Sequence, residues 1–138
     1  MTTLFSVNFT SGASLKTDAY TSRADVVVRI GMICPYSFDA PGGVQAHVVD
    51  LTEELRRRGH RVRVLAPGRP ENAPLSGMTL TGPGVAIPYN GSVARLSFGP
   101  TAWRATRTWL REDPLDVLHI HEPNAPGVAM FALAMASG

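Results

Sequence analysis

Cysteine is nearly absent from this sequence. Cys34 stands alone, which excludes an internal disulfide framework and fits a reducing compartment. Long hydrophobic runs are missing too. No stretch approaches the ~20 apolar residues of a membrane-spanning helix, and the longest near the end, residues 128–136, reads as a core helix. The N-terminus lacks the basic start and apolar middle of a secretory signal. Charge of one sign is scarce: the net charge is +2, too little for a global argument for nucleic acid. These absences predict a cytoplasmic protein that meets a membrane only peripherally. What is present suffices for one domain, since 138 residues with 44% hydrophobic content can bury a real core.

Residues 1–25 are rich in Ser, Thr, Ala and Asp and keep no period. A disordered leader is expected there, one whose removal leaves stability unchanged. The folded domain is expected over residues 26–138. It opens on Val26-Val27-Val28-Arg29-Ile30-Gly31-Met32-Ile33, an apolar run of the kind buried on both faces of a sheet. After a loop, Val44, Val48, Leu51 and Leu55 fall at i, i+4, i+7 and i+11, one apolar helical stripe. Arg56-Arg57-Arg58 suit the C-terminal end of that helix, and Gly59 stops it. Arg61-Val62-Arg63-Val64-Leu65-Ala66 is a second strand. A strand–helix–strand unit implies parallel strands and a right-handed crossover. Short strand pieces follow near residues 78–80 and 85–87, then a polar turn and a strand at 93–96. Pro100 opens a helix to about Glu112, and Pro114 ends it. Residues 117–121 form another strand, and Pro126 starts a last helix. The alternation predicts an α/β fold, a Rossmann-like doubly wound parallel sheet.

Five places carry candidate chemistry. Pro41-Gly42-Gly43 precedes the first helix, where backbone N–H groups and the helix dipole suit a phosphate; the plainer reading is a bare tight turn. Tyr36, Asp39 and Gln45 surround that turn. They suit a hydroxyl-rich ligand, or equally a cap or a solvated loop. Tyr89-Asn90-Gly91-Ser92 with Arg95 combines a hairpin signal with a guanidinium able to clamp a phosphate. Arg104, Arg107 and Arg111 share one face of a helix that also carries Trp103 and Trp109, which suits an anionic membrane surface or merely a solvated basic face. His119 and His121 share a strand face beside Glu122. The spacing is no zinc pattern, so a structural or crevice role outranks a metal.

Taken together, these segments resemble a known family. The run Arg29-Ile30-Gly31-Met32-Ile33-Cys34-Pro35-Tyr36-Ser37-Phe38-Asp39, with Pro41-Gly42-Gly43-Val44-Gln45, is similar to the N-terminus of phosphatidylinositol mannosyltransferases. So are Ile87-Pro88-Tyr89-Asn90-Gly91-Ser92-Val93-Ala94-Arg95-Leu96, Phe98-Gly99-Pro100 and Asp116-Val117-Leu118-His119-Ile120-His121-Glu122-Pro123-Asn124-Ala125-Pro126. The resemblance implies the truncated N-terminal, acceptor-binding domain of a two-domain GT-B glycosyltransferase, its nucleotide-sugar domain absent. It implies transfer of mannose from GDP-mannose to the inositol of phosphatidylinositol, with retention, for phosphatidylinositol mannoside synthesis. The work would be peripheral, at the inner face of the plasma membrane, without a metal or cofactor. Gly43 would contact the sugar-nucleotide. Tyr36, Gln45, Tyr89, Asn90 and Arg95 would hold the phosphoinositol head group, and Arg104 and Arg107 would meet the membrane. No catalytic group is expected within the chain, because the family's Thr-Phe-His segment has no counterpart here, so the chain alone is expected to be inactive. Val28 stands where the family has its first Met. The alternatives are a related transferase with another acceptor, or a non-catalytic remnant that binds anionic phospholipid.

Overall fold

The structure is a computed structural model that describes residues 4–8, 26–89 and 91–137. In chain order its elements are β1 (Leu4–Asn8), β2 (Arg29–Ile33), α1 (Gly43–Arg57), β3 (Arg61–Ala66), β4 (Met78–Leu80), β5 (Val85–Tyr89), β6 (Ser92–Leu96), α2 (Pro100–Glu112), β7 (Val117–His121) and α3 (Val128–Ser137). A 3-10 turn, Pro70–Asn72, lies between β3 and β4.

The main sheet runs β1-β7-β2-β3-β4. β7, β2, β3 and β4 are parallel, and β1 lies antiparallel against β7. Alternation along each strand builds two cores. Met32 and Val64 point to the face covered by α1, where Val48, Val62, Cys34 and Ala66 join them. Their neighbours Ile33 and Leu65 point to the opposite face, where they meet Trp109 of α2, Leu118 and Ile120 of β7, and Val128 and Ala132 of α3. The sheet is therefore doubly wound and Rossmann-like, as the alternation of elements predicts.

Three local departures have physical causes. β2 begins at Arg29, not Val26. Its partners start only at Arg61 and Val117, and Val26 and Val27 are exposed. The Arg29 backbone N–H and guanidinium both donate to the Asp116 carboxylate, at 2.8 and 2.7 Å, which pins the strand's start. α3 begins at Val128, after Gly127 adopts a φ of 101° with its backbone pressed against that of Ser97. The third departure corrects the reading of residues 1–25 as a disordered leader. Leu4–Asn8 forms the edge strand β1, paired Leu4 to His121 through Asn8 to Val117. An open β7 edge accepts a strand through main-chain hydrogen bonds, which demand no side-chain period. The rest of that leader lies outside the described residues.

Sheet order positions the site. From β2 the chain moves outward through β3 and β4, then returns through the β5–β6 hairpin and α2 to place β7 on the other side of β2. This reversal makes a topological switch point between β2 and β7. In open α/β sheets the ligand crevice lies at such a point, beyond the C-terminal strand ends.

Candidate functional site

A cleft of about 400 Å³ opens at that switch point. The loop after β2 contributes Tyr36 and Ser37, the turn before α1 contributes Gly42, and α1 itself contributes Gly43 and Gln45. Hairpin residues 92–95 close one side and Glu122, just after β7, another. The loop is fastened on several sides. Ser37 N–H donates to the Arg95 carbonyl at 2.9 Å, which ties the loop to β6. The Gln45 side-chain nitrogen donates to the Ser37 and Ala40 carbonyls, at 3.1 and 3.3 Å. Gln45 is thus a brace of the loop as well as a wall of the cleft.

The two glycines differ in what they permit. A Cβ at Gly42 would collide with the Gln45 side chain, whereas a Cβ at Gly43 would have nothing within 4 Å. Gly43 therefore leaves open space at the first residue of α1. There the unpaired N–H groups of the first turn and the positive end of the helix dipole favour an anion. Arg95 is exposed on the facing hairpin wall. This side of the cleft offers donors and positive potential.

The other side carries a carboxylate. The Tyr36 hydroxyl donates to Glu122 Oε2, joining the loop after β2 to the residue after β7. Glu122 has φ 44°, the positive-φ non-glycine residue among those described. The left-handed region costs a side-chain-bearing residue about 1–2 kcal/mol, and such strain concentrates at ligand sites. The Ala125 N–H donates to the Glu122 carbonyl at 2.9 Å and holds the turn. The sequence placed Glu122 beside two histidines and within a family-like run, but gave it no role of its own. Its position after a strand and before Pro123 marks a turn, but nothing in the sequence indicates its partner 86 residues away.

The structure brings Tyr36, Gly43, Gln45 and Arg95 into one cleft. The Tyr89 side chain and Asn90 lie outside the described residues, although Tyr89 pairs with Ser92 across the β5–β6 hairpin. Asp39 turns away from the cleft and accepts from the Arg69 N–H at 2.9 Å and the Asn72 amide at 2.6 Å. The Arg69 N–H chiefly, then the Asn72 amide, hold its carboxyl below the usual range. Arg104 and Arg107 are exposed on α2, outside the cleft lining. Trp103 on the same helix is exposed and stacks edge-on against Phe131 of α3, with ring centroids 5.2 Å apart. Trp109 is buried beneath the Arg63 guanidinium, 4.6 Å from the ring centroid.

The histidines form a packed group. His121 is fully buried, and its Nδ1–H donates to the Ile33 carbonyl at 3.2 Å, leaving Nε2 as a buried atom without a partner. The His119 ring lies 4.5 Å away and the His47 ring of α1 5.6 Å away. Burial first, then the neighbouring imidazoles, pushes His121 down to about 4 and also lowers His119. No group of three or more metal-ligating side chains able to hold an ion occurs among the described residues, nor among them does any helix long and apolar enough to cross a membrane.

Comparison with known proteins adds two findings. The model of a family described as Glycosyltransferase Family 4 matches residues 41–138. The chain is also similar to curated proteins named phosphatidyl-myo-inositol mannosyltransferase. It is 58% identical over 111 residues to that of Mycobacterium tuberculosis (strain ATCC 25618 / H37Rv), covering 80% of this chain and 29% of that protein. It is 57% identical over 111 residues to that of Mycolicibacterium smegmatis, with the same coverage. It is 41% identical over 113 residues to that of Propionibacterium freudenreichii, covering 77% of this chain and 30% of that protein. The chain thus spans about 30% of the length of the curated relatives it matches.

Proposed function

Since the chain belongs to glycosyltransferase family 4, we propose that it is the acceptor-binding part of a phosphatidylinositol mannosyltransferase, an enzyme that moves mannose from GDP-mannose to the inositol of phosphatidylinositol. One observation carries this reading: a cleft at the sheet's switch point joins the open N-terminus of α1 and Arg95 to the Tyr36–Glu122 pair. Positive potential at one end receives the lipid phosphate, and hydrogen-bonding side chains at the other receive the cyclitol hydroxyls. Gly43, with open space beside it, leaves room for the sugar-nucleotide to contact the first residue of α1. Tyr36, Gln45, Tyr89, Asn90 and Arg95 hold the head group in this reading. No metal is expected in this reading.

Arg104 and Arg107 on α2, with Trp103 beside them, give this domain a basic, partly aromatic face for an anionic bilayer. In this reading the work is done at the inner face of the plasma membrane. The 111 matched residues cover 29% of the relative's length, and in this reading the chain by itself is expected not to turn over. Catalysis requires donor and acceptor held together in reacting geometry.

The test is a titration of the isotope-labelled chain with myo-inositol 1-phosphate, followed by backbone NMR. Shifts should concentrate at residues 36–45, 92–95 and 122. Arg95→Ala should abolish most of them without altering the circular dichroism. Shifts scattered over the surface, or none, would refute the acceptor reading, and mannose transfer by the pure chain would refute its incompleteness.

A further inference from the structure

Resting on the acceptor reading above, we propose that Glu122 is a specificity-determining residue of the cleft. It orients Tyr36 and reads the hydroxyls of a phosphorylated cyclic polyol whose phosphate lies toward Arg95 and the N-terminus of α1. The cleft has two chemically opposite ends. Arg95 and the first-turn amides of α1 only donate hydrogen bonds, while an ionised carboxylate only accepts them. Glu122 Oε2 takes the Tyr36 hydrogen. A carboxylate offers about four acceptor sites, so capacity remains for ligand hydroxyls. The carboxylate therefore prefers hydroxyl donors and disfavours a second anion.

Free phosphate meets the donor end but is repelled at the Glu122 end. A ring that carries one phosphate and several hydroxyls satisfies both ends at once. The backbone supports the assignment independently. Glu122 occupies φ 44°, a conformation in which glycine sits without strain. Glycine would be easier to fold here but would supply no carboxylate. The position also bridges the switch point: Tyr36 follows β2 and Glu122 follows β7, the two strands between which the crevice opens.

The experiment compares the 138-residue chain with its Glu122→Gln, Glu122→Gly, Tyr36→Phe and Arg95→Ala variants. Each is titrated with myo-inositol 1-phosphate and, separately, with inorganic phosphate, and each is melted. Glu122→Gln should weaken inositol phosphate about tenfold or more, the scale of a lost charged hydrogen bond, and leave phosphate within about twofold. Arg95→Ala should weaken both ligands. Glu122→Gly should melt no lower than wild type yet lose inositol phosphate to the same extent. Tyr36→Phe added to Glu122→Gly should cost little more than Glu122→Gly alone, because both remove the same Tyr36–Glu122 hydrogen bond. If Glu122→Gln binds inositol phosphate as wild type does, the role of Glu122 is overturned and the cleft reading survives. Equal loss of both ligands, with a lowered melting point in Glu122→Gly, would show a merely structural residue and also overturn it. If the wild type binds neither ligand, the cleft reading itself falls and this inference with it.

Discussion

A Cβ built on Gly31 would lie 2.5 Å from Leu115 Cδ1 and 2.9 Å from Trp109 Cη2. The glycine in the middle of β2 is what lets the buried indole of α2 and the Leu115 side chain approach the sheet this closely. Gly31→Ala is therefore expected to destabilise the domain by about 1–3 kcal/mol through overpacking, measurable as a lower urea midpoint at unchanged slope. At the same scale, the histidines set an acid limit. Because folding lowers the affinity of His121 for a proton, the unfolded chain takes one up first as pH falls. Stability from this source is complete above its ordinary value of 6.5 and is lost as pH drops towards about 4. The shift corresponds to roughly 3 kcal/mol, and the lowered His119 acts in the same direction. Asp116, held to about 2 chiefly by Arg29, loses its pairing only in more acid solution. Urea titrations at a series of pH values should therefore show a first loss between pH 6.5 and 4. His121→Asn should flatten that limb, and a flat wild-type profile over this window would contradict the buried-imidazole account.

Among the elements, α2 has two different sides. Ala102, Thr106 and Trp109 are buried, while Arg104, Arg107 and Arg111 are exposed. Its C-terminal end is latched to β3 by Arg63, which donates to the Trp109 carbonyl at 3.0 Å and to Glu112 at 3.1 Å. The basic face is thus held rigidly outward. Near an anionic bilayer Arg104 and Arg107 should each contribute about 1 kcal/mol, fading as salt rises. Sedimentation with phosphatidylserine-containing vesicles should show binding by the chain and little by an Arg104→Glu, Arg107→Glu variant. Equal binding by both would remove α2 from the membrane reading and leave the hairpin with Arg95 as the contact. The helix boundaries themselves were legible: Pro100 begins α2, and Pro114 follows its end. Which of its two tryptophans is buried was not. The i, i+4, i+7 set that includes Trp109 faces the sheet only because β7 and α3 complete that side.

Over the whole molecule, β1 is the element that sequence reasoning did not foresee. It covers the outer edge of β7 with five paired residues. Removing residues 1–8 should accordingly lower stability by about 1–2 kcal/mol, the net of edge hydrogen bonds over the cost of ordering a short strand. The exposed edge should also raise the tendency to aggregate. A melting curve and light scattering on the truncated chain check both, and an unchanged melting point would restore the expectation of a dispensable leader. The remaining sheet obeys its connections: parallel strands, helices on both faces, and a crevice at the reversal of strand order.

Local periodicity and punctuation by themselves determined the strands at 61–66 and 117–121, the helix from 100 to 112, the Pro-Gly-Gly turn and the fold class. Hydrophobic spacing and turn chemistry act over a few residues, and so they can be read from the chain. Strand neighbours are chosen by non-local pairing. Only the tertiary structure decided that β7 lies beside β2, that Glu122 meets Tyr36, that three imidazoles pack together, and that Leu4–Asn8 closes an edge. Main-chain hydrogen bonds at a sheet edge are nearly blind to side-chain identity. A contact between residues 86 positions apart exists only after the crossovers have set the strand order.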